Sequence, residues 1–375
     1  MAQGVIMGRF TAMMMMVTAM VTVGCDAQQG ASCTARGRRG VCGPIINCPA
    51  LLTLLNLIKA GRAPPQAVDT LRSAICGFDN NFPLVCCSSP GAAAPGPGNL
   101  VKPVLPTSCG VSALTDRIID GHDAPLLAWP WMALLRGRFK GQLTWFCGGV
   151  LISDRYVLTA AHCFKSNLLT LESVRIGEHT LNQDRDCEKG ICAPLPQDIP
   201  VAQVINHPEY GKPCPECNDI ALLRLAHPAT MNPLHVVPIC LPLNPQKDLG
   251  FSEQQFIGKS AWAAGWGTTS RDSSEFIRLN PLQQVQLPIQ NSQYCETLRQ
   301  GYPDRRMVLC AGGEGKDTCR GDSGGPLAFT NTGGTRHFVV GITSRGPREC
   351  GSTNTQGLYT NVAFYASWIT NNLKP

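Results

Sequence analysis

Short apolar runs with alternating polar positions recur over about two thirds of the chain, from Ile118 to Pro375. They include WMALLRG, FCGGVLIS, YVLTAAHC, DIALLRL, FVVGITS and GLYTNV, and Gly, Pro and Asn separate them. Runs of this length and punctuation are typical of strands in an all-β sandwich or barrel. FYASWITNNL differs, because Phe364, Trp368 and Ile369 could share one face of a helix. The pattern predicts an all-β domain with a helix near its C-terminus.

A cysteine-rich segment, residues 28–87, precedes this domain. Within it, PALLTLLNLIKAG predicts a helix that ends at Gly61. About 55 residues bury little apolar surface, so we expect disulfides to supply the stability. Adjacent Cys86 and Cys87 should each bond elsewhere, because a vicinal bridge is strained. Zinc is the competing interpretation, but the spacings match no zinc pattern. The six cysteines are Cys33, Cys42, Cys48, Cys76, Cys86 and Cys87.

Composition marks two further segments. In residues 1–27, Arg9 precedes an apolar run at 10–23 that is too short to span a bilayer comfortably, which predicts a signal peptide. An N-terminal anchor is the alternative. Residues 88–117 are predicted to be a linker and activation segment, since Pro and Gly dominate most of that stretch.

The chain has 375 residues, 19 cysteines and a formal net charge of +6. The charge is a mild bias without a basic run, so we expect no nucleic-acid partner. No later stretch is apolar enough to span a membrane, and no membrane partner is expected. Removing Cys25 by cleavage after Ala27 leaves an even number of cysteines, which can all pair in an oxidising compartment. These features predict a secreted protein.

Three blocks of the large domain carry candidate chemistry. LTAAHCF contains His162, CNDIALLRL contains Asp219, and CRGDSGGPL contains Ser323. Singly, they are more often an ordinary histidine, a cap or turn acid, and a serine in a tight turn. Together, on a secreted β domain, they supply the base, orienting acid and nucleophile that serine hydrolysis requires.

TAAHC, DIALL and GDSGGP resemble the signature blocks of the chymotrypsin-like serine proteases, the trypsin family, and the resemblance runs from Ile118 to the C-terminus. It implies two six-stranded antiparallel β-barrels with a C-terminal helix. It also implies that Ser323 attacks, that His162 is general base and acid, and that Asp219 orients His162. The N–H groups of Gly321 and Ser323 would form the oxyanion hole.

The resemblance further implies a pocket for the substrate. Asp317 matches its floor, where a carboxylate selects Arg or Lys, although a solvated loop acid is the alternative. Ser344, Gly346 and Gly357 match its walls and leave room for a long side chain. The family usually has an aromatic residue where this chain has Arg345. That change is expected to alter the next subsites and could favour acidic residues upstream of the cut.

LTDRIIDGHDAP resembles a zymogen activation site that is cut between Arg117 and Ile118. The freed Ile118 ammonium is expected to pair with Asp322 and to order the pocket and the oxyanion hole. Arg117 implies an upstream activating protease of trypsin-like specificity. An exposed basic loop that is never cut is the alternative.

Most cysteine pairs follow from resemblance. Those within the protease domain are Cys147–Cys163, Cys295–Cys310 and Cys319–Cys350. Cys109 is expected to bond Cys240, which would tether the N-terminal part after activation. Cys187–Cys192 is expected as a short loop bridge, and elimination leaves Cys214 with Cys217. A metal interpretation of CPEC has only two thiols and no clear further ligand.

The cysteine-rich segment resembles the clip domain of arthropod serine proteases, through its six cysteines and the terminal Cys-Cys. The resemblance implies the pairs Cys33–Cys86, Cys42–Cys76 and Cys48–Cys87. It also implies a docking module for cascade partners, with a passive prosegment as the alternative.

A calcium site is a further expectation, in GEHTLNQDRDC. Glu178 and Asp186 could supply carboxylates, and Thr180 and Gln183 backbone oxygens. A solvated acidic loop is the alternative, and the chemistry itself requires no cofactor. The chain has no Asn-x-Ser/Thr sequon, so no N-glycan is expected.

The combined features predict a secreted zymogen endopeptidase that cuts after Arg or Lys. The clip resemblance implies a haemolymph cascade, first prophenoloxidase activation, alternatively clotting or the processing of a Toll ligand. The expected partners are a downstream zymogen such as prophenoloxidase, a trypsin-like activator and serpin-type inhibitors. A non-catalytic clip-domain cofactor is the first rival, although such proteins typically lose the serine. A matrix or adhesion protein is the second.

Overall fold

The computed structural model divides into two units, Met1–Gly98 and Asn99–Pro375. The residues it describes are 30–35, 38–48, 51–52, 54–55, 70–71, 73–79, 82–87, 105–106, 108–112, 122–188, 191–268, 281–291, 295–296, 298, 300–313, 315–346 and 356–374. The predicted signal peptide and the cleavage site between Arg117 and Ile118 lie outside these residues, as do most of the linker and Gly61.

The N-terminal unit contains a four-stranded antiparallel sheet in the order β1-β2-β4-β3. Its strands are β1 (Ser32–Ala35), β2 (Arg38–Pro44), β3 (Ile75–Asp79) and β4 (Phe82–Cys87). A short 3₁₀ helix, Ile45–Asn47, follows β2. Of the predicted helix, residues 51–52 and 54–55 are helical. The described core is small, with Cys48, Ala74 and Val85 buried together, so the disulfides bear much of the stabilisation, as expected for so short a unit.

The first part of the second unit forms a closed antiparallel barrel in the order β12-β13-β8-β7-β6-β9. Apolar side chains on its strands fill the interior; Met132 to Leu135, for example, are at most 2% exposed. A two-stranded hairpin, β10–β11, stands outside the barrel. The strands are β5 (His122–Asp123), β6 (Met132–Phe139), β7 (Gln142–Leu151), β8 (Tyr156–Thr159), β9 (Leu169–Ile176), β10 (Cys187–Glu188), β11 (Ile191–Cys192), β12 (Gln197–Asn206) and β13 (Ala221–Leu225).

The remaining strands form a second antiparallel barrel. They are β14 (Ser260–Gly265), β15 (Gln283–Gln290), β16 (Val308–Ala311), β17 (Pro326–Thr330), β18 (His337–Arg345) and β19 (Gly357–Asn361). The order is β14-β17-β18-β19-β16-β15, pairing of β14 with β15 closes the ring, and β5 adds to β15 from outside. The prediction of two six-stranded barrels is confirmed.

Helices are short. Helix α1 is Pro245–Asp248, and 3₁₀ helices cover Ala161–Phe164, Glu253–Phe256 and Arg305–Met307. The predicted C-terminal helix is present as α2, Ala366–Asn372, with Ile369 fully buried. Phe364 does not share its apolar face, because it precedes the helix and is 38% exposed. No helix among the described residues is long and apolar enough to cross a membrane.

Candidate active site

His162 and Asp219 meet in the first barrel. His162 lies on the 3₁₀ helix after β8, and Asp219 lies two residues before β13. Asp219 Oδ2 is 2.7 Å from His162 Nδ1, and Asp219 Oδ1 accepts the His162 backbone N–H at 2.8 Å. Two contacts to one carboxylate hold both the helix and the ring, so the ring can present Nε2 outward.

The Asp219 carboxylate is buried at 1% exposure, whereas the His162 side chain is 24% exposed. Burial lowers the pKa of His162, but the charge of Asp219 and its hydrogen bond outweigh that effect, and the net pKa is raised. Glu216 adds a smaller upward influence. The pair therefore makes the imidazole a better proton acceptor than a free histidine.

The second barrel supports the same acid. Ser344, at the end of β18, donates its hydroxyl to Asp219 Oδ2 at 2.5 Å. Thr360 Oγ1, on β19, donates to the Asp219 carbonyl oxygen at 2.7 Å. The resemblance assigned Ser344 to the wall of the pocket. In the structure, its hydroxyl contacts the orienting acid, Asp219. The contact of Thr360 was not predicted, since nothing in the sequence links it to Asp219.

Ser323 lies in the turn before β17, where contacts to the first barrel fix its backbone. Its carbonyl oxygen accepts the N–H of Gly148, on β7, at 2.8 Å. The next residue has φ +77°, and a Cβ there would lie 2.2 Å from Thr159 Oγ1 and 2.5 Å from the Gly148 oxygen. Glycine at position 324 is thus required both by conformation and by close approach.

Two backbone N–H groups at this turn have no acceptor among the residues that the structure describes. Gly321 has φ +99°, and within the described residues neither its N–H nor that of Ser323 donates a hydrogen bond. The N–H of Asp322 between them donates to the Cys319 oxygen at 3.0 Å. Free N–H groups at Gly321 and Ser323 are the arrangement that an oxyanion hole needs.

Asp317 lies between two glycines that keep space open around its carboxylate. A Cβ at Gly357 would lie 3.1 Å from Asp317 Oδ1, and one at Gly346 would lie 3.9 Å from Oδ2. Oδ1 accepts the N–H of Thr318 at 2.8 Å. Oδ2 is buried, and no described group donates to it. Burial raises the pKa of Asp317 to about 7, and no cation among the described residues offsets that effect.

Asp322, five residues after Asp317, is a second buried acid with a raised pKa. Its carboxylate accepts the N–H groups of Gly267 at 2.9 Å and Cys319 at 2.8 Å. Burial nevertheless raises its pKa to about 6. Its predicted partner, Ile118, lies outside the described residues.

Arg345 forms an ion pair that sequence reasoning missed. Its Nη1 lies 3.2 Å from Glu216 Oε2, three residues before Asp219 in the chain. The sequence singled out Arg345, but Glu216 is 129 residues away, and only the tertiary structure brings them together.

Eight predicted cysteine pairs are disulfides in the structure. They are Cys33–Cys86, Cys42–Cys76, Cys48–Cys87, Cys109–Cys240, Cys147–Cys163, Cys187–Cys192, Cys214–Cys217 and Cys295–Cys310. Cys319 is disulfide-bonded as well. Its predicted partner Cys350 lies outside the described residues.

The carboxylates and backbone groups of the loop predicted to bind calcium contact neighbouring groups of the chain. Glu178 is 7% exposed, and its Oε2 contacts Arg175 Nη1 at 3.0 Å while Oε1 accepts the N–H of His179 at 2.8 Å. The Thr180 oxygen accepts the Gln183 N–H at 2.9 Å, and Asp186 Oδ2 accepts the Thr180 N–H at 3.3 Å. Arg175 is shared with Asp198, which it contacts at 2.7 Å, and burial raises the pKa of Glu178 despite the guanidinium. Calcium binding by these residues therefore stays a prediction.

One described cluster has distances compatible with a metal, namely Cys147, His162 and Cys163, whose ligand atoms lie within 4.8 Å of one another. The two cysteines are bonded to each other and offer no thiolate. This cluster is therefore part of the candidate active site and not a metal centre.

Comparison with known proteins agrees with the fold. Residues 118–369 match the Trypsin family model, and residues 33–87 match the regulatory CLIP domain of proteinases. The chain is 37% identical over 353 residues to CLIP domain-containing serine protease HP8 of Bombyx mori, covering 89% of this chain and 91% of that protein. It is 36% identical over 358 residues to phenoloxidase-activating factor 3 of Holotrichia diomphalia, covering 92% and 94%.

A solved structure extends the likeness to three dimensions. The Drosophila Grass clip serine protease of the Toll pathway superposes with a TM-score of 0.60 at 32% identity, covering 92% of this chain and 97% of that chain. The fold and the site together define a serine protease of the trypsin class. With both family matches, the chain belongs to the clip-domain serine proteases.

Proposed function

We propose that this chain is a secreted zymogen that becomes a serine endopeptidase cutting after Arg or Lys. The observation that carries the proposal is the buried Asp317 carboxylate, whose Oδ2 has no donor among the described residues, at the open faces of Gly346 and Gly357. The terminal cation of an Arg or Lys side chain would supply the missing partner.

In the proposed reaction, His162 takes the proton of Ser323 as the serine oxygen attacks the substrate carbonyl. Asp219 holds the imidazole through Nδ1 and stabilises the imidazolium, which then protonates the leaving amine. The N–H groups of Gly321 and Ser323 would stabilise the oxyanion. Water then releases the acyl group by the same steps.

Activation is proposed to follow cleavage between Arg117 and Ile118. The new Ile118 ammonium would pair with Asp322 and order the pocket. The Cys109–Cys240 disulfide supports the idea that the N-terminal part stays attached after the cut, and the clip unit would then serve as a docking module.

The proposed role is a step in a haemolymph cascade. Relatives named for phenoloxidase activation favour prophenoloxidase or a protease above it as the substrate. A relative named for processing Spaetzle in Drosophila and the Grass structure favour a Toll-ligand step as the second candidate. Clotting is a further alternative for the cascade. The proposed partners also include an upstream trypsin-like activator and serpin-type inhibitors. The test for the cascade is cleavage of purified zymogens from haemolymph.

The test of activity uses the purified zymogen cut at Arg117, with Arg, Lys and Phe peptide amides as substrates. Arg117→Gln, which cannot be cut there, and Ser323→Ala are the matched controls. We expect Arg and Lys cleavage that requires both the cut and Ser323. A folded, correctly cut protein without turnover would instead favour the non-catalytic clip-domain cofactor.

A further inference from the structure

Arg345 lies between two residues of the candidate active site. Ser344 before it donates to Asp219, and Gly346 after it faces Asp317. The segment 344–346 therefore runs from the orienting acid to the pocket wall beside Asp317. Under the proposed function, a substrate whose Arg or Lys side chain reaches Asp317 would carry its preceding residues past this segment.

Glu216 holds the Arg345 side chain from a rigid loop. The Glu216 carbonyl accepts the hydroxyl of Tyr302 at 2.9 Å, and the Cys214–Cys217 disulfide flanks Glu216 on both sides. Glu216 Oε2 lies 3.2 Å from Arg345 Nη1. The ion pair thus holds the guanidinium of the residue between Ser344 and Gly346, where the family usually has an aromatic ring.

The Arg345 guanidinium has N–H donors that contact no described residue. A guanidinium offers five N–H donors, and within the described residues the Glu216 contact is its one hydrogen bond. The Arg345 side chain is 47% exposed, whereas that of Glu216 is 29% exposed. The more accessible member of the pair is the cation, which favours an acidic partner over a basic one.

We propose that Arg345, positioned by Glu216, selects substrates with an acidic side chain in the segment two to four residues before the scissile bond. This inference rests on the proposed function, because it names the substrate class of that same site. Arg345 is the specificity-determining residue, and Glu216 is a positioning residue that acts through it.

The test compares peptide amides with Arg before the cut and Glu, Gln or Lys at each of the three preceding positions. For the activated wild-type chain, we expect kcat/KM to be about three- to ten-fold higher for Glu than for Gln at one of these positions. In Arg345→Gln, the Glu-to-Gln ratio of kcat/KM should fall to about one. In Arg345→Glu, kcat/KM should be higher for the Lys peptide than for the Glu peptide. Glu216→Gln should reduce the ratio through KM, and a pH profile of kcat for the Gln peptide separates this effect from the smaller influence of Glu216 on the pKa of His162.

Arg138→Gln is the matched control, since Arg138 forms an exposed ion pair with Glu172 at 2.6 Å in the first barrel. Its Glu-to-Gln ratio should equal that of the wild type.

Binding of the same peptides to the cut Ser323→Ala chain separates the two proposals. A preference for Glu in binding without wild-type turnover would refute the protease and keep the inference. Equal binding and turnover of Glu and Gln peptides, or a preference for Lys, would overturn the inference.

Discussion

The two barrels contribute unequal halves to the candidate active site. In the half carried by the first barrel, both oxygens of the Asp219 carboxylate have donors. In the half carried by the second barrel, Asp317 has an oxygen without a described donor, and burial raises the pKa of both Asp317 and Asp322. In one half the carboxylate has a donor on each oxygen, and in the other half two acids have no cation among the residues that the structure describes.

The difference suggests where control of activity resides. A buried carboxylate without a cation is destabilising, and a cation that reaches it recovers much of that free energy. The proposed cations are the Ile118 ammonium for Asp322 and the substrate side chain for Asp317. Under this proposal, the proton-transfer pair is preformed, whereas the pocket depends on cleavage and on substrate.

The largest expected effect comes from a substitution in the half of the site that the first barrel carries. Asp219→Asn removes the charge that supports His162 and favours the wrong tautomer, so kcat should fall by about 10⁴-fold at neutral pH. The measurement is turnover of an Arg amide by the cut chain. A fall of less than ten-fold would show that this pair does not carry the proton transfer.

Asp322→Asn should lower kcat/KM by about 1,000-fold after the chain is cut, because the Ile118 ammonium would lack its partner. Cleavage at Arg117 itself should be unchanged when followed by gel electrophoresis and N-terminal sequencing. Full activity of the cut variant would remove Asp322 from the activation mechanism.

Asp317→Asn should lower kcat/KM for Arg amides by about 100- to 1,000-fold, since the pocket loses its charge. The pKa of Asp317 is raised to about 7, so in the free wild-type enzyme KM for Arg should fall as pH rises through 7. A KM independent of pH between 6 and 8 would contradict this assignment.

The same substitution should also change stability. A carboxyl whose folded pKa lies above its unfolded value stabilises the protein most below the unfolded pKa, and that stability is lost as pH rises through about 7. Asp317→Asn should therefore unfold with a free energy about 1–2 kcal/mol higher than wild type at pH 8. The two should converge at pH 4, which denaturant titration can measure.

The smallest expected effect is at the contact between the two halves. Ser344→Ala removes one donor to Asp219 while His162 keeps its two contacts, so kcat should fall by about ten-fold with KM nearly constant. Ser344→Thr, which retains a hydroxyl, is the conservative control. An unchanged kcat in Ser344→Ala would show that the first-barrel half is self-sufficient.

Much of the fold and site could be predicted because the signals are local. Period-two alternation specifies strands, and three short blocks identify His162, Asp219 and Ser323. The predicted apolar face of the last helix was wrong at Phe364, since the helix begins later. Calcium binding by the loop stays a prediction, and the contact of Arg175 with Glu178 is one that the sequence did not indicate.

The amino-acid sequence by itself determined the residue types of the site and the cysteines that bond, since these rest on local motifs and counts. Tertiary structure alone decided which side chains complete Asp219, which carboxylate oxygen lacks a donor and where Arg345 finds Glu216. Such contacts join residues more than 100 positions apart. They depend on how the two barrels pack, and a linear pattern does not contain that information.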